Sequence, residues 1–301
     1  MKDLGHERTD KIIETLEKRI NKVYSQAKKE LQEEFKKSLK WNEILKISDP
    51  KKRLIAAKKY KRLTKLIANM SEVIQNKNKI ALTLIDDNLE EIYAYNFNWG
   101  AYTIEHEIGF DIGYVLYNKE AVAELIKDNT PAFTKMAYKN AKDLAKIKRE
   151  LTQALTTEII KGGGYQKLAK KIDKVTDHNN YGSIRIARTE LGRMENTGKL
   201  KSFEHAQRKG VDLKKEWIAT IDKRTRVSHR HVQGEIVDMK DKFSNGLKYP
   251  NDPNGSAREV INCRCTFVAN IQKFTPSDAE IKLNEKFKKM SFDEWRDAHG
   301  E

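Results

Sequence analysis

Apolar residues recur at three- and four-residue spacing over most of this chain, and that period predicts helices. From about Thr9 to Leu39, the side chains of Ile12, Ile13, Leu16, Ile20, Val23 and Tyr24 form one stripe, with Lys and Glu on the other faces. After a break at Ser48, Asp49 and Pro50, a second helix carries Leu54, Ala57, Tyr60, Leu63, Leu66 and Ile67. From Leu82 to Leu125 the pattern turns aromatic, and Gly100, Gly109 and Gly113 are expected to loosen the chain there. The accompanying Glu90, Glu91, Glu105 and Glu107 favour a core role for those rings over nucleotide stacking. Pro131, with Asn129 and Thr130 as caps, opens a third long helix that stops at Gly162, Gly163 and Gly164. These glycines lack the downstream Gly-Lys-Ser/Thr of a phosphate loop.

A short helix over 165–174 and a last one from about Ser183 to Gly210 follow, with Asn179, Asn180 and Gly182 read as a turn between them. In the last helix Ile184, Ala187, Leu191, Met194 and Gly198 make the buried stripe. Glu190 sits at its edge and needs a cation, for which Arg188, Arg193, Arg224 and Arg226 are the candidates. The stretch from Trp217 to Ile271 breaks the helical period. Its ends, Trp217 to Ile221 and Thr266 to Ile271, suit buried strands, and Pro250, Pro253 and Gly255 make the insert a succession of turns. A tail helix is expected to start at Pro276, Ser277 and Asp278. The fold class expected is α+β: an elongated, mainly helical region over 1–164, a small compact α+β domain with a short β-sheet over 165–273, and a helical tail over 274–301.

Composition sharpens this picture. Of 301 residues 38% are hydrophobic and 34% charged, and the mean hydropathy is -0.77, which suits long solvated helices better than one globule. A net charge of +15 attracts polyanions, of which nucleic acid is the commonest partner, and the expected one here is double-stranded DNA. The most basic helix supplies Lys51, Lys52, Arg53, Lys58, Lys59, Lys61, Arg62 and Lys65 for such an electrostatic contact, although ordinary exposed helices have the same composition. Cys263 and Cys265 are too close in sequence for an easy disulfide, so nothing argues for an oxidising compartment. The N-terminal residues contain no apolar run of signal-peptide or membrane-spanning length, so a cytoplasmic product without a membrane partner is expected.

Candidate chemistry gathers in the non-helical stretch. His229, His231, Cys263 and Cys265 are the residue types of a tetrahedral zinc site, and residues two apart on extended chain face one side. The favoured alternative needs no cofactor: the thiols pack as small hydrophobes, and His229 is a hydrogen-bonded core histidine. Asp222 is placed to accept from the backbone of Arg224 and Thr225 in an Asx-type turn. Arg224, Arg226 and Arg264 can then reach Glu190, Glu235 or Glu259, giving a structural network of Arg188, Glu190, Asp222, Arg224, Thr225 and Arg264. An enzyme reading puts Asp222, His229, His231 and Glu235 beside a metal for phosphodiester cleavage, but the loop offers no nucleophile with an adjacent base, and no catalytic residue is assigned.

One ordered set of fragments resembles a known family. Ala187 to Glu190 (ARTE) with Asn196, Asp222 to His229 (DKRTRVSH), Gly234, and Asn262 to Cys265 (NCRC) look like the minor head proteins of tailed bacteriophages, the Mu F-like or phage head morphogenesis family. The resemblance covers about Ile184 to Ile271. It implies a virion-head component, passing through the host cytoplasm during assembly, that associates with the portal protein and with scaffold or major capsid protein. It further implies a part in head assembly and in DNA packaging or ejection. Relatives carry a cysteine where this chain has Arg226 and a His-Pro where it has Val260 and Ile261, so a complete zinc site here would have to recruit His231 or Asp222. Domains of this kind also occur joined to toxin modules, where catalysis belongs to the attached module. The alternatives kept are a metal-dependent nuclease or hydrolase and a non-viral basic DNA-binding protein.

Overall fold

A computed structural model describes residues 3–38, 40–117, 122, 131–274 and 282–300. Its helices are α1 (Leu4–Ser38), α2 (Trp41–Ile44), α3 (Pro50–Lys58), α4 (Arg62–Ile108), α5 (Ala132–Lys142), α6 (Leu144–Lys161), α7 (Tyr165–Arg208), α8 (Val227–His231), α9 (Ala257–Val260) and α10 (Phe292–Ala298). Among the described residues the strands are β1 (Phe110–Asp111), β2 (Val211–Ile218), β3 (Ile236–Asp238), β4 (Thr266–Phe274) and β5 (Lys282–Leu283). The fold is α+β, mainly helical, with a three-stranded antiparallel sheet in the order β3-β2-β4 and a two-stranded β1-β5 ribbon. No helix among the described residues is long and apolar enough to cross a membrane.

The chain forms two compact units, neither a continuous stretch. One comprises residues 15–84 and 135–185; the other comprises 1–14, 85–134 and 186–301. Residues 85–134 therefore share a unit with the C-terminal third, whereas the linear reading set them with the N-terminal helices.

The first unit is all helix around one apolar core. Leu31, Phe35, Trp41, Ile44, Leu66, Met70, Ile74, Leu151, Leu155 and Ile172 are all buried in it. Asp49 caps α3 by accepting from the Lys52 backbone N–H at 2.8 Å, and Pro50 fills the first turn. A 3₁₀ turn at Lys59–Lys61, with Lys61 at φ 57°, separates α3 from α4, so the expected second helix is divided here. The third predicted helix is divided too: Asp143 caps α6 by accepting from the Lys146 backbone N–H, and Gly162 closes it in the left-handed conformation at φ 72°. Arg53, expected on a DNA-facing surface, is instead buried. Its guanidinium donates to the carbonyls of Ile47, Ser48, Ile159 and Ile160, satisfying the C-terminal end of α6. Asn179, Asn180 and Gly182 do not form a turn but lie within the 44-residue α7. Asn179 donates to the Val175 carbonyl and accepts from Asn78 Nδ2 at 2.9 Å, so partners elsewhere satisfy an amide that would otherwise compete with the helix.

The second unit is built on the aromatic half of α4, which stays helical through Gly100 and ends at Gly109, φ 74°. Gly100 does not loosen the chain; its missing side chain admits Ser202 and Phe203 of α7. Gly198 serves the same crossing, because a Cβ there would lie 2.5 Å from the Tyr93 carbonyl oxygen. Tyr93, Phe97, Trp99, Tyr102 and Tyr114 are buried core. The far end of the chain docks on them: Tyr95, Trp99 and Tyr102 pack against Phe292, and Trp295 Nε1 donates to buried Glu105 at 2.8 Å. Ser291 and Glu294 form a reciprocal cap on α10. The expected tail start at Pro276, Ser277 and Asp278, and the caps Asn129 and Thr130, lie outside the described residues.

Strand β2 begins six residues before the expected Trp217 and alternates, with Val211, Leu213, Lys215 and Trp217 buried. Trp217 pairs with Phe267 across β4. Its ring meets His229 and Phe243 edge-on, at 5.3 and 5.1 Å between centroids, within a cluster of Ala219, Val232, Leu247, Val260, Cys263 and Cys265. Lys215 replaces an apolar residue in this row. Its ammonium donates to the Met239 and Asp241 carbonyls and lies over Phe243, and burial lowers its pKa to about 8.

Candidate functional site

The residues of the motif fragments converge on the loop before β4. Asn262 holds φ at 62°, a left-handed turn that Asn tolerates, and its backbone N–H donates to Thr189 Oγ1 at 2.8 Å. Arg188 Nη1 reaches Asn262 Oδ1 at 3.5 Å. Thus the ARTE segment of α7 anchors the NCRC turn. Two helical turns on, buried Asn196 donates to the carbonyls of Gly192 and Cys265 and to Asn251 Oδ1, and Asn251 Nδ2 in turn donates to the Val260 carbonyl.

Glu190 takes Arg193, one of its candidate partners. Arg193 Nε and Nη2 donate to Glu190 Oε2 at 3.0 and 2.8 Å, Thr134 Oγ1 donates to Oε1 at 2.5 Å, and both charged side chains are 2% exposed. Arg224 and Arg226 do not reach it. Asp222 makes the expected Asx turn with the Arg224 backbone N–H at 2.8 Å, whereas the Thr225 backbone N–H donates to the Asp222 carbonyl and it is the Thr225 hydroxyl that meets the carboxylate, at 3.2 Å. Its carboxylate is gripped by Arg264, both oxygens at 2.7 Å, and that guanidinium holds the carboxyl well below the usual range. Arg264 therefore reaches Asp222 rather than Glu190, Glu235 or Glu259. Arg226 Nη2 donates to the Ile261 carbonyl, and Glu235 accepts from Ser244.

His229, Cys263 and Cys265 come together, 1%, 3% and 4% exposed. His229 Nδ1 lies 3.5 Å from Cys263 Sγ and 3.4 Å from Cys265 Sγ, and its Nε2 lies 3.1 Å from Glu259 Oε2. Ser228 Oγ donates to the same carboxylate oxygen at 2.7 Å. A hydrogen bond between the two sulfurs pushes the Cys263 thiol up and the Cys265 thiol down, the latter aided by His229. His231, exposed on the same short helix, stands outside the group. Both cysteines are free.

Two charged clusters of this unit were not legible in the sequence. Buried Lys199 donates to Asp3 Oδ2 at 2.6 Å, Glu195 Oε1 at 3.0 Å and Thr266 Oγ1 at 2.7 Å, and His6 Nδ1 meets Glu195 at 2.9 Å. Burial opposes every charge here, yet the mutual attraction prevails, raising His6 to about 9 and holding Glu195 at about 2. The only sequence signal was the i, i+4 pairing of Glu195 with Lys199. Glu105, Asp111 and His299 also approach one another, but Glu105 is engaged by Trp295 Nε1, the Ile112 N–H and His299, the contacts that hold α10 in place.

Comparison with known proteins places this geometry. Residues 145–268 match the family described as Phage Mu protein F like protein. The minor head protein GP7 of Bacillus phage SPP1 is 26% identical over 297 residues, covering 95% of this chain and 93% of that protein. The NAD(+)-arginine ADP-ribosyltransferase EFV of Enterococcus faecalis is 34% identical over 203 residues, which is 64% of this chain but 40% of that protein's length. No solved structure matches significantly. The family match thus spans α6, α7, β2, β3, the Asp222–Cys265 loop and the start of β4, in a chain similar along almost its whole length to a phage minor head protein.

Proposed function

We propose that this chain is a minor head protein of a tailed phage or prophage, acting in head morphogenesis and residing in the virion head. The observation that carries this reading is the end-to-end similarity to a minor head protein. Its partners on this reading are the portal protein, scaffold or major capsid protein, and double-stranded DNA during packaging or ejection. The role is structural. Glu190 and Asp222 are both committed to arginines, and Asn196 to backbone carbonyls, which suits a rigid interaction module better than a hydrolytic centre. The ADP-ribosyltransferase is more than twice as long as this chain's match to it, leaving ample sequence outside the shared segment for its activity. Mass spectrometry of purified heads is the test. The chain is expected among head proteins in both mature and DNA-free particles, and its absence from both sinks the proposal.

DNA contact on this reading is electrostatic. Lys51, Lys52, Lys58, Lys59, Lys61, Arg62 and Lys65 are exposed on α3, the following turn and the start of α4, whereas Arg53 is withdrawn into the core. Duplex binding by the full chain should weaken as salt rises, with a log-log slope of about -0.9 per phosphate neutralised, and show no sequence preference. Reversing Lys51, Lys52, Lys58 and Lys59 to Glu should lower affinity and flatten that slope. An unchanged slope would place the contact elsewhere.

A further inference from the structure

We propose that His229, Cys263 and Cys265 are the three protein ligands of a zinc ion, with Glu259 as the residue that orients the histidine and water completing the tetrahedron. Bonds of about 2.3 Å to sulfur and about 2.0 Å to nitrogen at a tetrahedral angle set S and N about 3.5 Å apart. The two S···Nδ1 separations here are 3.5 and 3.4 Å. All three donor atoms lie within 4.8 Å of one another, so one ion can touch them together.

Without an ion the two sulfurs hydrogen-bond each other and crowd a single imidazole nitrogen. A cation at the meeting point serves both sulfurs and the nitrogen. The tautomer is the one a metal needs: Nε2 faces Glu259, which takes its proton's hydrogen bond and leaves the Nδ1 lone pair turned to the sulfurs. Ser228 steadies that carboxylate from the other side. The Cys265 backbone N–H points at Cys263 Sγ at 3.4 Å, a donor suited to a thiolate. Binding breaks the two S–H bonds, forms two Zn–S bonds and releases the displaced protons to solvent.

The candidates for a fourth ligand do not supply one. Both oxygens of Asp222 are on Arg264, and His231 is outside the group. A site with three protein donors and a water is the consequence. The ion would tie α8 to the NCRC turn, two segments that share no strand pairing, and so brace the loop between β2 and β4.

Full-length protein, reduced and freed of metal, is titrated with Zn²⁺ and, separately, with Co²⁺ followed by absorption. The proposal expects about one equivalent of zinc and, with cobalt, a thiolate charge-transfer band with intense tetrahedral d–d absorption. Cys263→Ser and His229→Ala should each abolish the band. Glu259→Gln, which keeps every ligand, should weaken zinc binding about 10–100-fold. His231→Ala should leave it unchanged. The proposal is overturned if the wild type gives no cobalt band, or if a Cys263→Ser, Cys265→Ser variant takes up as much zinc as the wild type. Equal affinity in the Glu259→Gln variant overturns the orienting role.

Discussion

Arg193→Ala is expected to destabilise the unit containing the sheet by about 3–5 kcal/mol, because it leaves the buried Glu190 carboxylate without its cation. Arg193 and Glu190 are each 2% exposed and joined through two N–H donors on one oxygen, with Thr134 on the other. An uncompensated buried charge is costly, so the helix must open to let water reach the carboxylate. Replacing both, Glu190→Gln with Arg193→Met, should cost far less, since the orphaned charge rather than the missing attraction dominates the loss. Denaturant unfolding of both variants against the wild type reads this directly. A single-variant cost under about 1 kcal/mol, the range of exposed pairs, would mean that solvent reaches the pair.

The second large effect is expected at Trp217→Ala, at about 3–5 kcal/mol. The ring is fully buried, contacts His229 and Phe243 edge-on, and spans the cluster under the Asp222–Cys265 loop. Removing it leaves a cavity that the β2-β4 pairing prevents from collapsing, because the backbone there is pinned along the whole of β2. Peptide-resolved hydrogen exchange should show protection lost across 211–274. Residues 144–161, in the all-helical unit, should keep theirs. Full protection of 211–274 in this variant would show that the ring contributes little to the core.

The helices were legible because period, caps and stops are local: the stripe from Ile12 to Tyr24, the Asp49-Pro50 start and the Gly162 stop each depend on neighbours within a turn or two. The strand after the loop was legible for the same reason, as was the Asp222 turn, but the strand before it was misplaced: Trp217 to Ile221 was expected, β2 runs Val211–Ile218, and Ile221 is exposed. The boundaries that failed were those where a distant partner outweighed local preference. Asn179 and Asn180 read as a turn, yet Asn78 and Asn21 supply the bonds that keep them helical. Gly100 and Gly198 read as a loosening and a small stripe residue, yet both mark where α4 and α7 touch closely.

By itself the sequence determined the α+β class, the aromatic core and the ordered fragments that resemble the phage head family, because residue type and spacing carry those directly. Only the tertiary structure decided the pairings. Charges choose partners by geometry: Glu190 took Arg193 one turn along its own helix, whereas Asp222 took Arg264, Arg53 left the basic surface for a helix end and His6 met Glu195, each across dozens of residues or more. The sequence already favoured His229 over His231, which was only a residue to recruit, and the turn of α8 carries His229 inward to both sulfurs and leaves His231 in solvent.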